Sequence, residues 1–271
     1  MNKLGKLSKA LTTLMRKPYL LNNVINDNSE WMRYVLKKYK IQKPLPVVDI
    51  AELFDQKEVT VKPYAFLDGG CLVTDLALLR ALASRINDCN YFEIGTWRGE
   101  SVANVASVAK ACYSLNLCQK DIKDQGYPDQ YQKEYGALSK GYENIIHLRG
   151  NSRDYDFAGL NKKFDLVFID GDHHFDMVRN DSQRVFSHLV HEDTIVVWHD
   201  YAFNAESVRY EVFAGILDGI PQAAHEHLYH VSNSLCAIYS KKPLKSREFS
   251  SPAHPDKIFD IHIKVLPMEE D

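Results

Sequence analysis

Glu93-Ile94-Gly95-Thr96-Trp97-Arg98-Gly99-Glu100-Ser101 is the stretch on which the reading of this 271-residue chain turns. Before it, Tyr91-Phe92-Glu93-Ile94 reads as a short buried strand. After it, Val102, Val105, Ala106 and Ala109 recur at helical spacing. A strand therefore runs through a glycine-bearing loop into a helix. Glycines let backbone approach a ligand, and a helix N-terminus offers free N–H groups to an anion. A dinucleotide fingerprint needs G-x-G-x-x-G, and Trp97 fills the middle glycine slot. A P-loop needs a lysine, and none stands here. What remains is E-x-G-x-x-x-G. An acid at the strand end suits a ligand with a positive group, not a pyrophosphate.

Outward from this stretch, strands and helices alternate. Upstream, Thr74 is placed to cap a helix whose apolar face is Leu76, Leu79, Leu82 and Ile86. Downstream, strands are expected at 112–117, 145–148, 164–169 and 194–198, with a last one at 234–239. Phe175, Val178, Ser182, Val185 and Leu189 mark one helix. Val208, Val212 and Ile216 mark another, with Gly219 and Pro221 as stop signals. The strands at 91–94, 164–169 and 194–198 are near-continuous apolar runs, which suits a parallel sheet covered on both faces. The expected fold is α/β, doubly wound and mostly parallel. Residues 119–143 carry Gly126, Pro128, Gly136, Gly141 and four tyrosines, Tyr127, Tyr131, Tyr135 and Tyr142. That is too long for a plain connection, so a helix or a functional insertion is expected.

Composition excludes several classes. With 45% hydrophobic and 25% charged residues, 13 Gly and 10 Pro, the chain is neither collagenous nor low-complexity. Lys+Arg 33 against Asp+Glu 36 gives −3, without the basic footprint of a nucleic-acid binder. No apolar run reaches the roughly 18 residues of a bilayer span. The five cysteines form no C-x-x-C, which points to buried thiols in a reducing compartment. No apolar h-region follows the N-terminal lysines, so a cytoplasmic location is expected.

Residues 1–17 are basic, and Leu4, Leu7, Leu11 and Leu14 recur at helical spacing. Such a stripe packs on the parent domain or on a second subunit of a homodimer; contact with an anionic membrane surface is the lesser reading. A second helix is expected after Asn28 and Ser29, burying Trp31, Tyr34 and Val35. Lys43-Pro44-Leu45-Pro46 reads as a linker. In the tail, Ile261, Ile263 and Val265 alternate with His262 and Lys264, the pattern of an edge strand or an arm to a partner.

Ligands of open α/β sheets bind outside the carboxyl ends of the strands. Asn116 ends the second strand and can accept a hydroxyl hydrogen bond; a plain polar strand end is the competing reading. Asn151 and Ser152 follow the third strand, to read a purine edge or simply to turn the chain. The densest feature is Asp170-Gly171-Asp172-His173-His174 after an apolar strand, with His199-Asp200-Tyr201 after the next. Clustered carboxylates repel, so a cation or a shared proton is expected among them. Asp170, Asp200 and water can hold a divalent ion, and histidines shift the preference toward Mn, Fe or Zn. Asp172 or His173 can do general acid–base work. The structural alternative is that the histidines cap the next helix and Asp200 caps a turn.

In this order and spacing the motifs resemble class I S-adenosylmethionine (SAM)-dependent methyltransferases, over about residues 68–240. E-I-G-T-x-x-G-x-S is similar to that family's SAM-binding loop. F-D-L-V-F-I-D-G-D-H-H and V-V-W-H-D-Y resemble bacterial small-molecule O-methyltransferases. The resemblance implies a Rossmann-like sheet with an N-terminal helical extension at 1–67, a SAM-binding domain at 68–240 and a tail at 241–271. It implies that Glu93, Gly95, Thr96, Trp97, Gly99 and Ser101 hold the methionine end of SAM. Asn116 then replaces the usual ribose-binding acid, Asn151 and Ser152 flank the adenine, and Asp170 borders the cofactor. Asp170, His199 and Asp200 fall where metal-dependent relatives carry ligands for Mg or Mn, although His199 stands in place of a carboxylate. Asp172 or His173 is the implied base. The expected activity is O-methylation of a small hydroxylated acceptor, with the N-terminal helices and residues 119–143 as a selecting lid. Two other functions compete: a metal-assisted, phosphoesterase-like hydrolase using Asp170, Asp172, His173 and Asp200, and a SAM-binding protein without turnover.

Overall fold

The computed structural model describes residues 2–21, 27–55, 58–124, 126 and 128–267. Helices α1 (Lys3–Arg16) and α2 (Asn28–Tyr39) precede strand β1 (Val47–Val48). Helix α3 (Val73–Ser84) leads to β2 (Asn90–Ile94), and α4 (Glu100–Ala106) leads to β3 (Ala111–Asn116). Short helices α5 (Gln119–Asp124) and α6 (Asp129–Glu134) come before β4 (Ile145–Arg149). Then follow β5 (Phe164–Ile169), α7 (Phe175–His188) and β6 (Val190–Trp198). A hairpin of β7 (Ala202–Asn204) and β8 (Ser207–Val208), helix α8 (Tyr210–Gly219), β9 (Leu228–Val231), β10 (Ala237–Tyr239) and β11 (Ser246–Arg247) complete the chain.

Nine strands form one sheet in the order β11-β1-β9-β10-β6-β5-β2-β3-β4. Strands β4, β3, β2, β5 and β6 are parallel, and β10 runs antiparallel between β6 and β9. The chain winds outward from β2 through β3 to β4, then returns to lay β5 on the other side of β2. That reversal opens a crevice at the carboxyl ends of β2 and β5. The sheet is mixed but mostly parallel, with the doubly wound order expected of an open α/β sheet.

Strand alternation fills two cores. Phe92, Val167, Val196 and Trp198 pack with Val178 and Val185 of α7 and Val212 and Phe213 of α8. Tyr91, Leu166, Phe168 and Val197 pack with Leu76 and Leu79 of α3 and Val102 and Val105 of α4. Each fully buried large side chain contributes about 1.5–3 kcal/mol, so β2, β5 and β6 are a rigid platform for whatever their ends carry.

Several expectations change. Leu72, not Thr74, is the N-cap of α3; its N–H is accepted by the Asp75 carboxylate, and Thr74 lies inside the first turn. Val35 is buried, while Trp31 and Tyr34 are half-buried, with Trp31 stacked 4.8 Å from Phe175. The Lys43–Pro46 stretch is not a free linker: Leu45 is buried, and its N–H donates to the Tyr201 hydroxyl. It delivers β1 to the edge of β9. The tail forms no strand at 261–265, where Ile261, Ile263 and Val265 are exposed; the edge strand is β11, paired with β1. The α1 stripe does not pack on the domain, since no residue of α1 is buried. Residues 119–143 hold α5 and α6, while Tyr127 lies outside the described residues. Among the described residues no helix is long and apolar enough to cross a membrane.

Candidate active site

Register builds the site. Ile94 pairs with Ile169, and Ile169 with Trp198, so Gly95, Asp170 and His199 leave adjacent strands at one level. Gly95 has φ 86°, and a Cβ there would lie 2.1 Å from the Asp170 carbonyl oxygen. Only glycine lets the two strand ends come this close. A cavity of about 880 Å³ opens above them. Gly95, Thr96, Trp97, Ser101, Asn116, Asn151 and Ser152 are in its wall, and so are Asp170, Asp172, His173, His199 and Asp200.

Two expected cofactor residues are elsewhere. Glu93 shares a sheet face with Tyr91 and is fully buried, away from the cavity wall. Its carboxylate accepts from the hydroxyls of Tyr91 at 2.8 Å and Ser114 at 2.9 Å. Burial pushes this carboxyl up to about 7, against the hydroxyls around it. Glu93 therefore lies beneath the loop, bonded to the hydroxyls around it. Gly99 also faces away: its absent Cβ leaves room for Ser139, whose Oγ would otherwise be 2.4 Å distant.

The loop is tied to the insertion. Trp97, at φ 40°, and Arg98 accept through their carbonyls from Gly136 N–H and Leu138 N–H. The Trp97 indole lies 3.7 Å from the Tyr131 ring, and both border the cavity. A third segment closes over α4. Asn104 accepts from Lys62 N–H and donates to the Pro63 carbonyl, Glu100 accepts from Ala65 N–H, and Arg98 donates to the Asp68 carbonyl. These bonds bring Gly69, Gly70 and Cys71 to the cavity.

Asn116 differs from expectation in the sense of its bond. Its Oδ1 accepts from Leu117 N–H, leaving Nδ2 buried without a partner among the described residues. The group presented is a donor. Asn151 spends its Oδ1 on Arg153 N–H, as a turn would require, while still lining the cavity. Ser152 bonds Asp181, a buried acid that reaches the same wall from α7 and was not singled out by any motif. Burial pushes Asp181 up to about 6.

At the other end the acid–histidine cluster assembles. His199 Nε2 lies 3.1 Å from Asp75 Oδ2, and its Nδ1 lies 3.0 Å from Asp170 Oδ1 and 3.6 Å from Asp200 Oδ2. Asp75 is fully buried, accepts from the N–H groups of Leu72 and Leu235, and is hydrogen-bonded to His199 Nε2. The Nδ1 contact is close but not aligned as a hydrogen bond. Burial opposes charge on His199, but Asp170, Cys71 and Asp200 together outweigh it and raise the imidazole well above its ordinary range. Burial likewise raises Asp170. A proton on this imidazole would offset the repulsion between these carboxylates.

Cys71, missed by the sequence reading, places its thiol 3.7 Å from Asp170 Oδ2. The donor atoms of Cys71, Asp170 and His199 all lie within 4.8 Å of one another. The set that converges is thus Cys71, Asp170 and His199, with Asp200 at its rim. Asp172 accepts from both N–H and Nδ1 of His174; burial opposes this, yet the carboxyl is held below its ordinary range. His173 is half-exposed in the cavity wall, with Nδ1 3.6 Å from Asp200 Oδ2. Burial and Arg209 lower its imidazole below the ordinary range.

Comparison with known proteins gives a domain. Residues 92–201 match the model of a family described as a methyltransferase domain. No curated protein matches the chain. Among solved structures, the chain is similar to the YcgJ protein of Bacillus subtilis, at 18% identity over 45% of this chain and 48% of that one, with a TM-score of 0.34. It is also similar to the SAH-bound methyltransferase PaMTH1 of Podospora anserina, at 15% identity over 62% of this chain and 79% of that one, with a TM-score of 0.44. A third is the O-methyltransferase of Bacillus cereus in complex with SAH, at 16% identity over 65% of this chain and 84% of that one, with a TM-score of 0.45. The chain spans about half the length of the first of these.

Proposed function

We propose that this chain, which carries a methyltransferase domain of the class I, SAM-dependent type, methylates a hydroxyl oxygen of a small acceptor. The observation that carries this reading is one continuous cavity running from the loop at 95–99 to the edge formed by Asp170, His173, His199 and Asp200. The first end suits SAM. The orphaned Asn116 Nδ2 can donate to a ribose hydroxyl oxygen, and Asp181 with Ser152 lies at the end expected for the adenine. The second end suits the acceptor. Bound SAM supplies a methyl group on a positively charged sulfur, so transfer consumes positive charge.

The chain's residues then have two tasks. The first is alignment, which can lower a barrier by about 7–11 kcal/mol. The loop fixed by Gly95 against Asp170 serves it. The second is to take the acceptor's proton as the oxygen gains its methyl group. His173 fits that role better than Asp172, because burial and Arg209 favour its neutral form and it is unpaired with a donor, whereas Asp172 is occupied by His174. Asp200 would steady the resulting imidazolium from 3.6 Å.

Cys71, Asp170 and His199 would hold a divalent ion in place of the imidazole proton. Asp75 on Nε2 fixes the tautomer that leaves Nδ1 free to ligate, as second-sphere carboxylates do in metal sites. A thiol, an imidazole and a carboxylate suit Zn, Fe or Mn better than Mg. Such an ion supplies Lewis acidity toward a hydroxyl.

The domain match speaks against the hydrolase reading. The test is calorimetric titration with SAM, followed by assay of S-adenosylhomocysteine formation over a panel of hydroxylated acceptors, for the natural chain and for His173→Gln. Binding and turnover that His173→Gln lowers by about 10²-fold or more support the reading. Absence of SAM binding removes it, and binding without turnover on any acceptor leaves only a SAM-binding protein.

A further inference from the structure

Helix α1 is the one long helix whose apolar face nothing in the described chain covers. Leu4, Leu7, Leu11 and Met15 are 76%, 56%, 53% and 77% exposed. With Leu14 they fall within an arc of about 100° at the helical period. We propose that this face seats on an anionic lipid surface, with α1 lying in the plane of the headgroups.

Charge complementarity selects that occupant. Lys3, Lys6, Lys9, Arg16 and Lys17 occupy the rest of the helix circumference and its end, and no acid occurs before Asp27. A basic polar face beside an apolar stripe is the pattern of an interfacial helix. A second copy of α1 is a poor alternative cover, because a two-helix seam would bring lysines against lysines with no acid to answer them. At about 1.5 Å per residue the 14-residue helix is roughly 21 Å long, short of a bilayer core of about 30 Å, so it lies on the surface. Its polar groups are prepared for partial burial. Thr12 and Thr13 donate their hydroxyls to the carbonyls of Ser8 and Lys9, and the Asn2 side chain accepts from Gly5 N–H.

The test uses the full chain and co-sedimentation with vesicles of phosphatidylcholine alone or mixed with phosphatidylglycerol. Partition onto the mixed vesicles should be at least about tenfold stronger and should weaken as salt rises. A Leu7→Asp/Leu11→Asp variant and a Lys6→Glu/Lys9→Glu variant should each lose binding by about tenfold or more. Both should keep the natural thermal midpoint, because α1 adds nothing to the core. Equal partition onto both lipids, or binding retained by either variant, overturns the proposal. So does light scattering that shows an oligomer in solution which Leu7→Asp/Leu11→Asp dissolves, since a second copy then covers the stripe.

Discussion

Replacing Glu93 by Gln should change the pH dependence of stability more than stability itself. In the folded chain Glu93 has no solvent exposure, and burial pushes its carboxyl from the ordinary 4.5 to about 7. In the unfolded chain it titrates near 4.5. Between these values the folded state binds more protons than the unfolded state. Stability contributed at this position is therefore full at low pH, falls as pH rises through that window, and levels off above about 7. A shift of this size corresponds to about 3 kcal/mol across the window. The amide that Glu93→Gln introduces does not titrate. Its oxygen can still accept from the Tyr91 hydroxyl, and the Ser114 hydroxyl can rotate to accept from the amide N–H. Urea unfolding followed by circular dichroism at several pH values between about 5 and 8 gives the two stability curves. Burial raises Asp170 and Asp181 too, so the wild-type curve alone would mix several groups. The difference between the curves isolates Glu93. It should move in favour of Glu93→Gln by about 3 kcal/mol from the acid end to the alkaline end. A difference that stays constant to within about 0.5 kcal/mol would show that the buried carboxyl does not titrate as its surroundings require.

Two further outcomes follow from the same geometry. Gly95→Ala should lose about 2–5 kcal/mol, from the left-handed backbone and from a Cβ driven against the Asp170 carbonyl; a thermal midpoint within about 1 °C of the natural chain would contradict the close approach of β2 and β5. If His173 is the base, methyl transfer should rise with pH as its imidazole loses a proton, with a midpoint below the ordinary 6.5, because burial and Arg209 lower this group. A rate profile that still climbs above pH 7.5, or that is unchanged in His173→Gln, would exclude His173 from the role.

The central strands were legible because β5 and β6 end in the apolar runs Leu166–Ile169 and Ile195–Trp198, which demand cover on both faces, and because β2 sets Tyr91, Phe92 and Ile94 before a glycine loop. β9 was not, since His230 interrupts Leu228, Tyr229 and Val231; the structure buries that histidine, which lowers its imidazole to about 4. β1 and β11 have two residues each, too few for any period to register. The site was legible where it lies at strand ends, as at Gly95, Asp170 and His199. It was not legible where distant segments fold over it. Cys71, Tyr131 and Asp181 come from a strap, an insertion and a helix face, and none belongs to a motif. The burial of Glu93 was not legible for a simpler reason. This residue shares the two-residue period of Tyr91, so it points into the sheet face that α4 covers and not out of the strand end.

Trp97 occupies the position where a dinucleotide loop needs glycine, and the structure shows what it does there. A glycine would leave the backbone bare for a pyrophosphate. Trp97 instead takes the left-handed conformation, stacks with Tyr131 and, with Arg98, receives the backbone N–H groups of Gly136 and Leu138. Gly99 lets Ser139 approach from the same side. The loop at 95–99 and the residue 119–143 insertion are therefore one mechanical unit. The insertion cannot be displaced without releasing two backbone bonds to the loop and the stack on its tryptophan. If the loop holds the methyl donor as proposed, an acceptor that moves Tyr131 would also act on that loop, and selection of the acceptor would be joined to alignment of the donor.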